Sequence, residues 1–350
     1  MQSTSHTPEV TPVNTLVIGA GSWGTALAVA AAQTGPVLLW SRHAEQAEHI
    51  NQHHRNPSYL QDIELPVSLK ATADKQAAIE FLSTDTPAFI IFGLPVKAMR
   101  QGMQEWSALF KEAGLDHVPY VWTCKGFEEE TSLLPHQIID DVAPHSKQPR
   151  GVLSGPTFAR EVASGLPAAI TVASKDPIVG ERAIQALHSQ QLRVYYSDDV
   201  IGVEVGGALK NVIALACGIS DGLALGSNAR AALITRGLSE IRRLGLAMGG
   251  NPDTFHGLTG LGDLVLTATG DLSRNRQVGL ALAKGQSLQE ILATGLTAEG
   301  VRCARSAYAR ANSLGVEMPI TEVVCDILFN GVNSLESVAK LLAREVKSED

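Results

Sequence analysis

The sequence lacks several features that would assign it at once to a common class of protein. It has only four cysteines, and no two of them have the close spacing of a zinc site or a CxxC motif; they are Cys124, Cys217, Cys303 and Cys325. This distribution predicts neither a zinc site nor a disulfide framework, and it is typical of a reducing compartment. We therefore expect a protein that holds no metal.

Basic residues and long apolar runs are scarce as well. The chain has 28 lysines and arginines against 36 aspartates and glutamates, a net charge of −8, which argues against general nucleic-acid binding. Residues 1–12 have neither the basic nor the apolar region of a signal peptide. We also expect no segment with the roughly 20 apolar residues of a membrane span. The expected location is the cytoplasm, without membrane insertion.

The first half of the chain alternates short apolar runs with helical stretches. Seven candidate strands lie at residues 15–18, 37–40, 88–92, 120–123, 152–153, 169–172 and 193–196. Helical patterns occur between them, near residues 25–33, 96–110, 133–140 and 178–188. This alternation predicts a parallel sheet that is covered by helices on both faces.

The second half reads differently, because helical patterns follow one another with hardly any strand signal. They lie at residues 198–219, 229–247, 274–283, 288–293, 300–312, 320–328 and 335–344. At 350 residues, 45% of them hydrophobic, the chain is long enough for two domains. We predict an α/β domain over residues 1–197 and an all-α domain over residues 198–350, with a cleft between them.

A glycine-rich loop of sequence GAGSWG stands at residues 19–24, directly after the first strand and before the first helix. In this setting Gly19 permits the tight turn, Gly21 lets the backbone approach a pyrophosphate, and Gly24 allows the helix to pack closely on the strand. The helix N-terminus then faces the phosphates. The loop predicts a Rossmann-type domain that binds a dinucleotide.

The second strand ends in WSRH at residues 40–43, where an NAD-preferring enzyme would have an acidic residue for the ribose hydroxyls. Arg42 offers a charge-assisted bond to a 2′-phosphate, with His43 beside it. NADP(H) is therefore the preferred cofactor, and NAD(H) remains possible. The alternative is that Arg42 is only a solvated surface residue.

Lys210 lies within the long apolar helix of the second half, one turn after Gly206 and Gly207. Glycines inside a helix cost roughly 1 kcal/mol each, so we expect them to clear space where the Lys210 ammonium meets a ligand. Apolar neighbours would lower the pKa of Lys210 and suit it to proton exchange with a carbonyl or alcohol oxygen. A lysine that snorkels from a packed helix is the alternative.

Further polar groups lie at predicted turns and helix starts. Asp263 and Thr267 are four residues apart, on one helix face. The SRN sequence at residues 273–275 begins another helix, where a cation and backbone donors could bind a phosphate. Lys125 follows one strand and SGPTF at residues 154–158 follows the next, at the edge where open α/β sheets bind ligands. Taken singly, each is also explained by ordinary capping and turn chemistry.

Several of these segments together resemble one family. GALKNVIALACGISDGLALGSN, at residues 207–228, resembles the signature of the bacterial NAD(P)-dependent glycerol-3-phosphate dehydrogenases. GAGSWGTALA, VWTCKGFE, SGPTFAREVASGLPAA, GLGDLVLT, SRNRQVG and GVEMPITE resemble further family segments and occur in the same order. The resemblance spans nearly the whole chain. It implies a Rossmann-type domain followed by a 6-phosphogluconate-dehydrogenase-like helical domain, and a homodimer.

The resemblance also implies roles for individual residues. Lys210 would donate and accept the proton, and Lys125 and Asp263 would bind and polarise the substrate. It implies further substrate contacts at Gly155, Thr157, Ser273, Arg274 and Asn275, and further cofactor contacts at Ser22, Trp23, Arg42, Ala159, Arg274, Thr297 and Glu299. We add Thr267, on the helix face of Asp263, as a predicted substrate contact, and His43 and Lys125 as predicted cofactor contacts.

The reaction that follows is hydride transfer from NADPH to C2 of dihydroxyacetone phosphate, which yields sn-glycerol 3-phosphate for phospholipid synthesis. Two alternatives stay open. A related hydroxyacid or ketoacid reductase would not need the phosphate anchor at residues 273–275. A nucleotide sensor without catalysis would not need Lys125, Lys210 and Asp263 together.

Overall fold

The computed structural model describes residues 12–296 and 298–342, and the first half of the chain forms one eight-stranded sheet. The strands are β1 (Asn14–Ile18), β2 (Val37–Trp40), β3 (Lys70–Thr72), β4 (Ala88–Phe92), β5 (Tyr120–Trp122), β6 (Arg150–Ser154), β7 (Ala168–Ala173) and β8 (Leu192–Ser197). Their spatial order is β3-β2-β1-β4-β5-β6-β7-β8. All seven strands expected from the sequence are present, with ends within two residues of those expected.

Helices connect these strands and then form the rest of the chain. In the first half they are α1 (Ser22–Ala31), α2 (Ala44–His53), α3 (Lys75–Leu82), α4 (Val96–Glu112), α5 (Pro135–Val142), α6 (Ala159–Ala163) and α7 (Pro177–Leu187). In the second half they are α8 (Val200–Gly222), α9 (Gly226–Ala247), α10 (Asp263–Thr269), α11 (Arg274–Ala283), α12 (Leu288–Ala293), α13 (Glu299–Ser313), α14 (Pro319–Phe329) and α15 (Ser334–Leu342). The Rossmann-type and helical character of the two halves is confirmed. Residues 343 and 344, predicted to be helical, lie outside the described residues.

The central strands of the sheet are buried on both faces, because their successive side chains enter different apolar clusters, whereas alternate side chains of the edge strand β8 are exposed. On β1, Leu16 and Ile18 pack on one side and Val17 on the other. On β4, Ile90 and Ile91 divide in the same way. Such strands appear in the sequence as continuous apolar runs, which is why they could be located without structural information.

Two expectations about the sheet were incomplete or wrong. Strand β3 has only three residues with little apolar character, so it carried no strand signal. Strand β7 runs antiparallel to β6, and β8 is parallel to β7, so the sheet is mixed rather than wholly parallel. The connection from β6 to β7 contains only the short helix α6, and an antiparallel return does not need the longer crossover of a parallel pair.

Helix α8, the central helix of the second half, differs from the expectation that no segment is long and apolar enough to span a membrane. Its 23 residues have a mean hydropathy of 1.6 over an 18-residue window, so by length and composition it could span a membrane. However, 89% of that window is buried inside the protein, as in the core helix of a soluble protein. The expectation of no such segment was therefore wrong, and the burial accounts for the apolar composition.

The beginning of α8 is fastened to the sheet by a buried carboxylate. Glu204, 3% exposed, accepts hydrogen bonds from Trp122 Nε1 at 2.8 Å and from the His136 backbone nitrogen at 2.9 Å. The His136 imidazole Nδ1 also contacts Glu204 Oε2. Because Trp122 ends β5, this network links the strand before Lys125 to the helix that carries Lys210.

The domain boundary between residues 197 and 198 stays a prediction.

We predict that this network makes stability depend on pH. Burial opposes the charge on His136, but the hydrogen bond and charge of Glu204 outweigh it and raise the His136 pKa above 6.5. Because the pKa of His136 is higher in the folded than in the unfolded protein, its protonation stabilises the fold. This stabilisation is complete below the unfolded-state pKa and is lost as pH rises through the folded-state pKa. His136→Gln should therefore lower the melting temperature most near about pH 6 and progressively less at higher pH.

Melting curves of both proteins across this pH range test the prediction. The control is His145→Gln, since His145 is exposed and forms no salt bridge with any residue in the described ranges. A wild-type advantage over His136→Gln that stays constant with pH would contradict it.

Candidate active site

The glycine loop between β1 and α1 has the geometry of a phosphate cradle. Gly19 has a φ of +117°, and a Cβ there would lie 2.8 Å from the carbonyl oxygen of Gly93. A Cβ on Gly24 would lie 1.9 Å from the Gly19 carbonyl oxygen, so helix and strand could not pack this closely with any larger residue. A Cβ on Gly21, by contrast, would meet nothing within 4 Å. The loop is therefore closely packed at Gly19 and Gly24 and open at Gly21.

The open side of the loop lies at the N-terminus of α1. Ser22 and Trp23 begin this helix, whose N-cap, Gly21, provides no side-chain hydrogen bond and whose first turn contains no acidic residue. The first amide groups of a helix have no partners within it, and they favour an anion. These residues fit the pyrophosphate of a dinucleotide.

Arg42 and His43 follow β2, next to the glycine loop in the sheet. Both side chains are exposed, and Arg42 Nε donates a hydrogen bond to His43 Nε2 at 2.9 Å. Arg42 forms no salt bridge with a carboxylate in the described part of the chain, so its charge is not neutralised there by an acidic residue. A cation in this position suits a 2′-phosphate.

The centre of the site is a buried carboxylate between two lysines. Asp263, at the start of α10, is completely buried. Its Oδ2 accepts a 2.7 Å hydrogen bond from Lys125 Nζ, and its Oδ1 pairs with Lys210 Nζ from α8. Lys210 Nζ also donates to Thr267 Oγ1 at 3.1 Å. Residues from three separate parts of the sequence thus meet at one point, as the resemblance implied.

The environment of Lys210 changes its proton affinity. Burial lowers the pKa of Lys210 to about 8, and the nearby Lys125 ammonium acts in the same direction. The Asp263 carboxylate opposes both effects and favours the charged ammonium. A lysine with this pKa can give or take a proton near neutral pH, as its apolar surroundings in the sequence suggested.

The two glycines before Lys210 have different functions from the one expected. A Cβ on Gly206 would lie 2.7 Å from the Thr259 carbonyl oxygen, so Gly206 permits α8 to pack against the segment before α10. A Cβ on Gly207 would lie 3.2 Å from Ser154 Oγ and 3.4 Å from Lys125 Cγ. Gly207 therefore makes room for the stem of Lys125 rather than for the ammonium of Lys210.

The SRN segment forms a capped helix start, as its sequence indicated. Ser273 is the N-cap of α11, and the exposed Arg274 begins the helix. Asn275 is buried, and its Nδ2 donates to Asn211 Oδ1 at 2.8 Å while its Oδ1 accepts from the Gly300 backbone nitrogen at 2.9 Å. Sequence reasoning assigned no role to Asn211, although it directly follows Lys210. Its amide connects α8 with the first turn of α11.

The other predicted site residues lie in several elements of the fold. The Gly155 carbonyl oxygen is 3.5 Å from Lys125 Nζ and 3.4 Å from Thr157 Oγ1. Ala159 begins α6 and Glu299 begins α13. Thr297 lies outside the described residues. Within residues 12–296 and 298–342, no three His, Cys, Asp or Glu side chains are grouped in a way that could hold a metal ion.

Two family models match the chain over nearly its whole length. The model of the N-terminus of NAD-dependent glycerol-3-phosphate dehydrogenase matches residues 14–179, and the model of the C-terminus matches residues 199–339. The chain belongs to this dehydrogenase family. Its NAD(P)-dependent oxidoreductase class therefore agrees with the dinucleotide loop and the buried lysine described above.

Individual members of the glycerol-3-phosphate dehydrogenase family are similar to this chain throughout. A Burkholderia cenocepacia protein named glycerol-3-phosphate dehydrogenase [NAD(P)+] is 51% identical over 334 residues, covering 95% of this chain and 99% of the relative. A solved Coxiella burnetii glycerol-3-phosphate dehydrogenase is 39% identical, with a TM-score of 0.87, and covers 95% of this chain and 100% of that one. The Saccharomyces cerevisiae enzyme is 27% identical, with a TM-score of 0.79, and covers 95% and 100%.

We predict that Asp263 is essential for stability as well as for the site. Asp263→Asn leaves two buried or nearly buried ammonium groups without a counterion, which typically costs about 3–5 kcal/mol of unfolding free energy at neutral pH. The loss should shrink as pH rises, because a neutral Lys210 needs no counterion. Urea unfolding at two pH values measures both effects.

The matched control for this measurement is Asp271→Asn. The Asp271 side chain is 98% exposed and pairs with Arg276, so its removal should cost no more than about 1 kcal/mol. Equal losses for the two variants would mean that burial of the Asp263 carboxylate contributes nothing special.

Proposed function

We propose that the protein catalyses the reversible reduction of dihydroxyacetone phosphate to sn-glycerol 3-phosphate with NAD(P)H. The observation that carries the proposal is the Asp263 carboxylate between Lys125 and Lys210, which places a proton donor with a lowered pKa beside a second cation. The name of the relative that is 51% identical over almost the whole chain supports the same reaction. The product would supply the backbone of glycerophospholipids.

The cofactor would lie along the glycine loop, held by Ser22, Trp23 and the helix N-terminus, with Arg42 and His43 at the adenosine ribose. When bound, its reduced nicotinamide supplies the hydride. The other proposed cofactor contacts are Lys125, Ala159, Arg274, Thr297 and Glu299. Because the second strand ends in a cation instead of an acid, we propose that NADPH is preferred over NADH.

Lys210 would provide the proton that the reduction requires. Its ammonium would donate a hydrogen bond to the C2 carbonyl oxygen and transfer the proton as that oxygen becomes an alkoxide. Asp263 keeps the ammonium charged and directed, and Lys125 contributes a second positive charge next to the developing negative oxygen. Thr267 orients the Lys210 amine, to which its hydroxyl is hydrogen-bonded at 3.1 Å.

The substrate phosphate would bind at the start of α11. Arg274 offers a guanidinium, and Ser273 and Asn275 lie at the N-terminus of the helix, where the helix dipole favours an anion. Gly155 and Thr157, next to Lys125, would contact the substrate as well. We further propose that the enzyme is a cytoplasmic homodimer, with the dinucleotide domain at residues 1–197 and the substrate domain at residues 198–350.

The first test is a steady-state assay of NADPH and NADH oxidation with dihydroxyacetone phosphate and with unphosphorylated ketoacids. We expect turnover of dihydroxyacetone phosphate, at a higher rate with NADPH than with NADH. Comparable turnover on ketoacids would favour the reductase alternative. Cofactor binding without turnover on any of these substrates would favour the sensor.

We predict that Lys210→Met lowers kcat of reduction by about 10²- to 10⁴-fold while NADPH binding, followed by fluorescence, is retained. Near-normal kcat in the variant would exclude Lys210 as the proton donor.

In the wild-type enzyme, reduction needs protonated Lys210, so its rate should fall as pH rises above about 8, whereas the rate of glycerol 3-phosphate oxidation should increase over the same range.

We predict that Arg274→Ala raises KM for dihydroxyacetone phosphate by about 10- to 100-fold, since a charge-assisted bond to phosphate is lost. The matched control is Arg193→Ala, an exposed arginine on the edge strand β8, which should leave KM unchanged. Similar KM values for both variants would place the phosphate elsewhere.

A further inference from the structure

A buried polar network lies beneath the glycine loop, and nothing in the proposed reaction uses it. Four of its residues, Thr25, Ser41, Gln46 and Asn56, are at most 8% exposed. They come from helix α1, the end of β2, helix α2 and the segment after α2. Polar side chains of this kind are costly to bury unless every hydrogen-bonding group has a partner.

The two amides at its centre hold the backbone of the glycine loop. Gln46 Nε2 and Asn56 Nδ2 both donate to the carbonyl oxygen of Ala20, at 3.1 and 3.0 Å. Asn56 Nδ2 also donates to Thr25 Oγ1 at 2.8 Å, in the first turns of α1. The Ala20 carbonyl is thereby drawn into the protein interior, so its negative end points away from the surface that faces a pyrophosphate.

The same amides extend to the turn that carries Arg42. Ser41 Oγ donates to Gln46 Oε1 at 2.6 Å and accepts from the His43 backbone nitrogen at 3.1 Å. Gln46 Nε2 in turn donates to Asn56 Oδ1 at 2.9 Å. Both amide hydrogens of Gln46 and both of Asn56 are used, which is the condition under which a buried network makes the structure rigid.

We propose that Ser41, Gln46 and Asn56 are positioning residues that set the cofactor preference by fixing the Arg42 turn relative to the glycine loop. The inference rests on the proposed role of Arg42. The pyrophosphate and the 2′-phosphate of NADPH are separated by a fixed length of ligand. Both are bound well only if their two protein sites keep a matching separation, within about 0.5 Å. NADH carries no 2′-phosphate, so its binding does not depend on that separation in the same way.

The test uses direct binding of two fragments, 2′,5′-ADP and 5′-AMP, measured by calorimetry. These differ only in the 2′-phosphate, so the ratio of their affinities reports the Arg42 contact without catalysis. Ser41→Ala should weaken 2′,5′-ADP binding by about 5- to 10-fold and change 5′-AMP binding less than about 2-fold. The KM for NADPH should correspondingly rise relative to the KM for NADH.

A double variant separates this inference from the proposed function. If Ser41 acts through Arg42, adding Ser41→Ala to Arg42→Ala causes no further loss of 2′,5′-ADP binding. If Arg42→Ala alone leaves both affinities unchanged, the role of Arg42 is wrong and the inference with it. If Arg42→Ala weakens only 2′,5′-ADP but Ser41→Ala does not, only the inference is wrong. Equal weakening of both fragments by Ser41→Ala would also overturn it.

The chain contains a close structural control. Ser174 follows β7 in the way that Ser41 follows β2; it is buried, its Oγ donates to the Arg150 carbonyl oxygen at 2.7 Å, and it accepts from the Asp176 nitrogen at 3.0 Å. Ser174→Ala removes comparable hydrogen bonds at a turn that lies near the other edge of the sheet, away from the glycine loop. We expect both Ser174→Ala and Ser41→Ala to lower stability, because each removes buried hydrogen bonds, but Ser174→Ala should leave the ratio of the two fragment affinities unchanged.

Discussion

The candidate active site depends on one buried carboxylate, Asp263, which accepts hydrogen bonds from two lysines. Without it, Lys125 and Lys210 would place two positive charges within one small, largely buried space, at a considerable electrostatic cost. With it, both ammonium groups are held at defined positions, and the pKa of Lys210 stays near the pH at which a proton can be exchanged. We therefore expect the same contact to serve both the stability of the candidate site and the proposed proton transfer.

The contact exists because α8 approaches its neighbours closely. Gly206 allows the backbone of α8 to pack against the segment before α10, and Gly207 leaves room for the stem of Lys125. At the beginning of the helix, Glu204 binds groups of β5 and α5, so the strand before Lys125 and the helix of Lys210 keep a fixed relation. Packing in the apolar core thus determines the distances in the polar site.

Much of the candidate site could be recognised in the sequence because its chemistry is local. The glycine loop, the Asp263 and Thr267 pair and the capped start of α11 are patterns of a few residues whose geometry follows from turn and helix rules. Asn211, Glu204 and the Gln46 and Asn56 amides carried no such signal. Glu204 and Asn211 lie within a predicted helix, and Gln46 and Asn56 lie in a stretch without a clear pattern. In either setting an Asn, Gln or Glu is ordinarily a surface residue, and only tertiary contacts make these four buried.

The sequence by itself determined the two kinds of secondary structure, the dinucleotide loop and the family, since apolar periodicity and short motifs are properties of neighbouring residues. The tertiary structure decided that Lys125, Lys210 and Asp263 meet, that β7 runs antiparallel, and that the apolar helix α8 is a core helix. It also decided that buried amides tie the glycine loop to the Arg42 turn. These features involve residues separated by tens of positions or more, or the burial of whole elements, and local sequence rules do not report either.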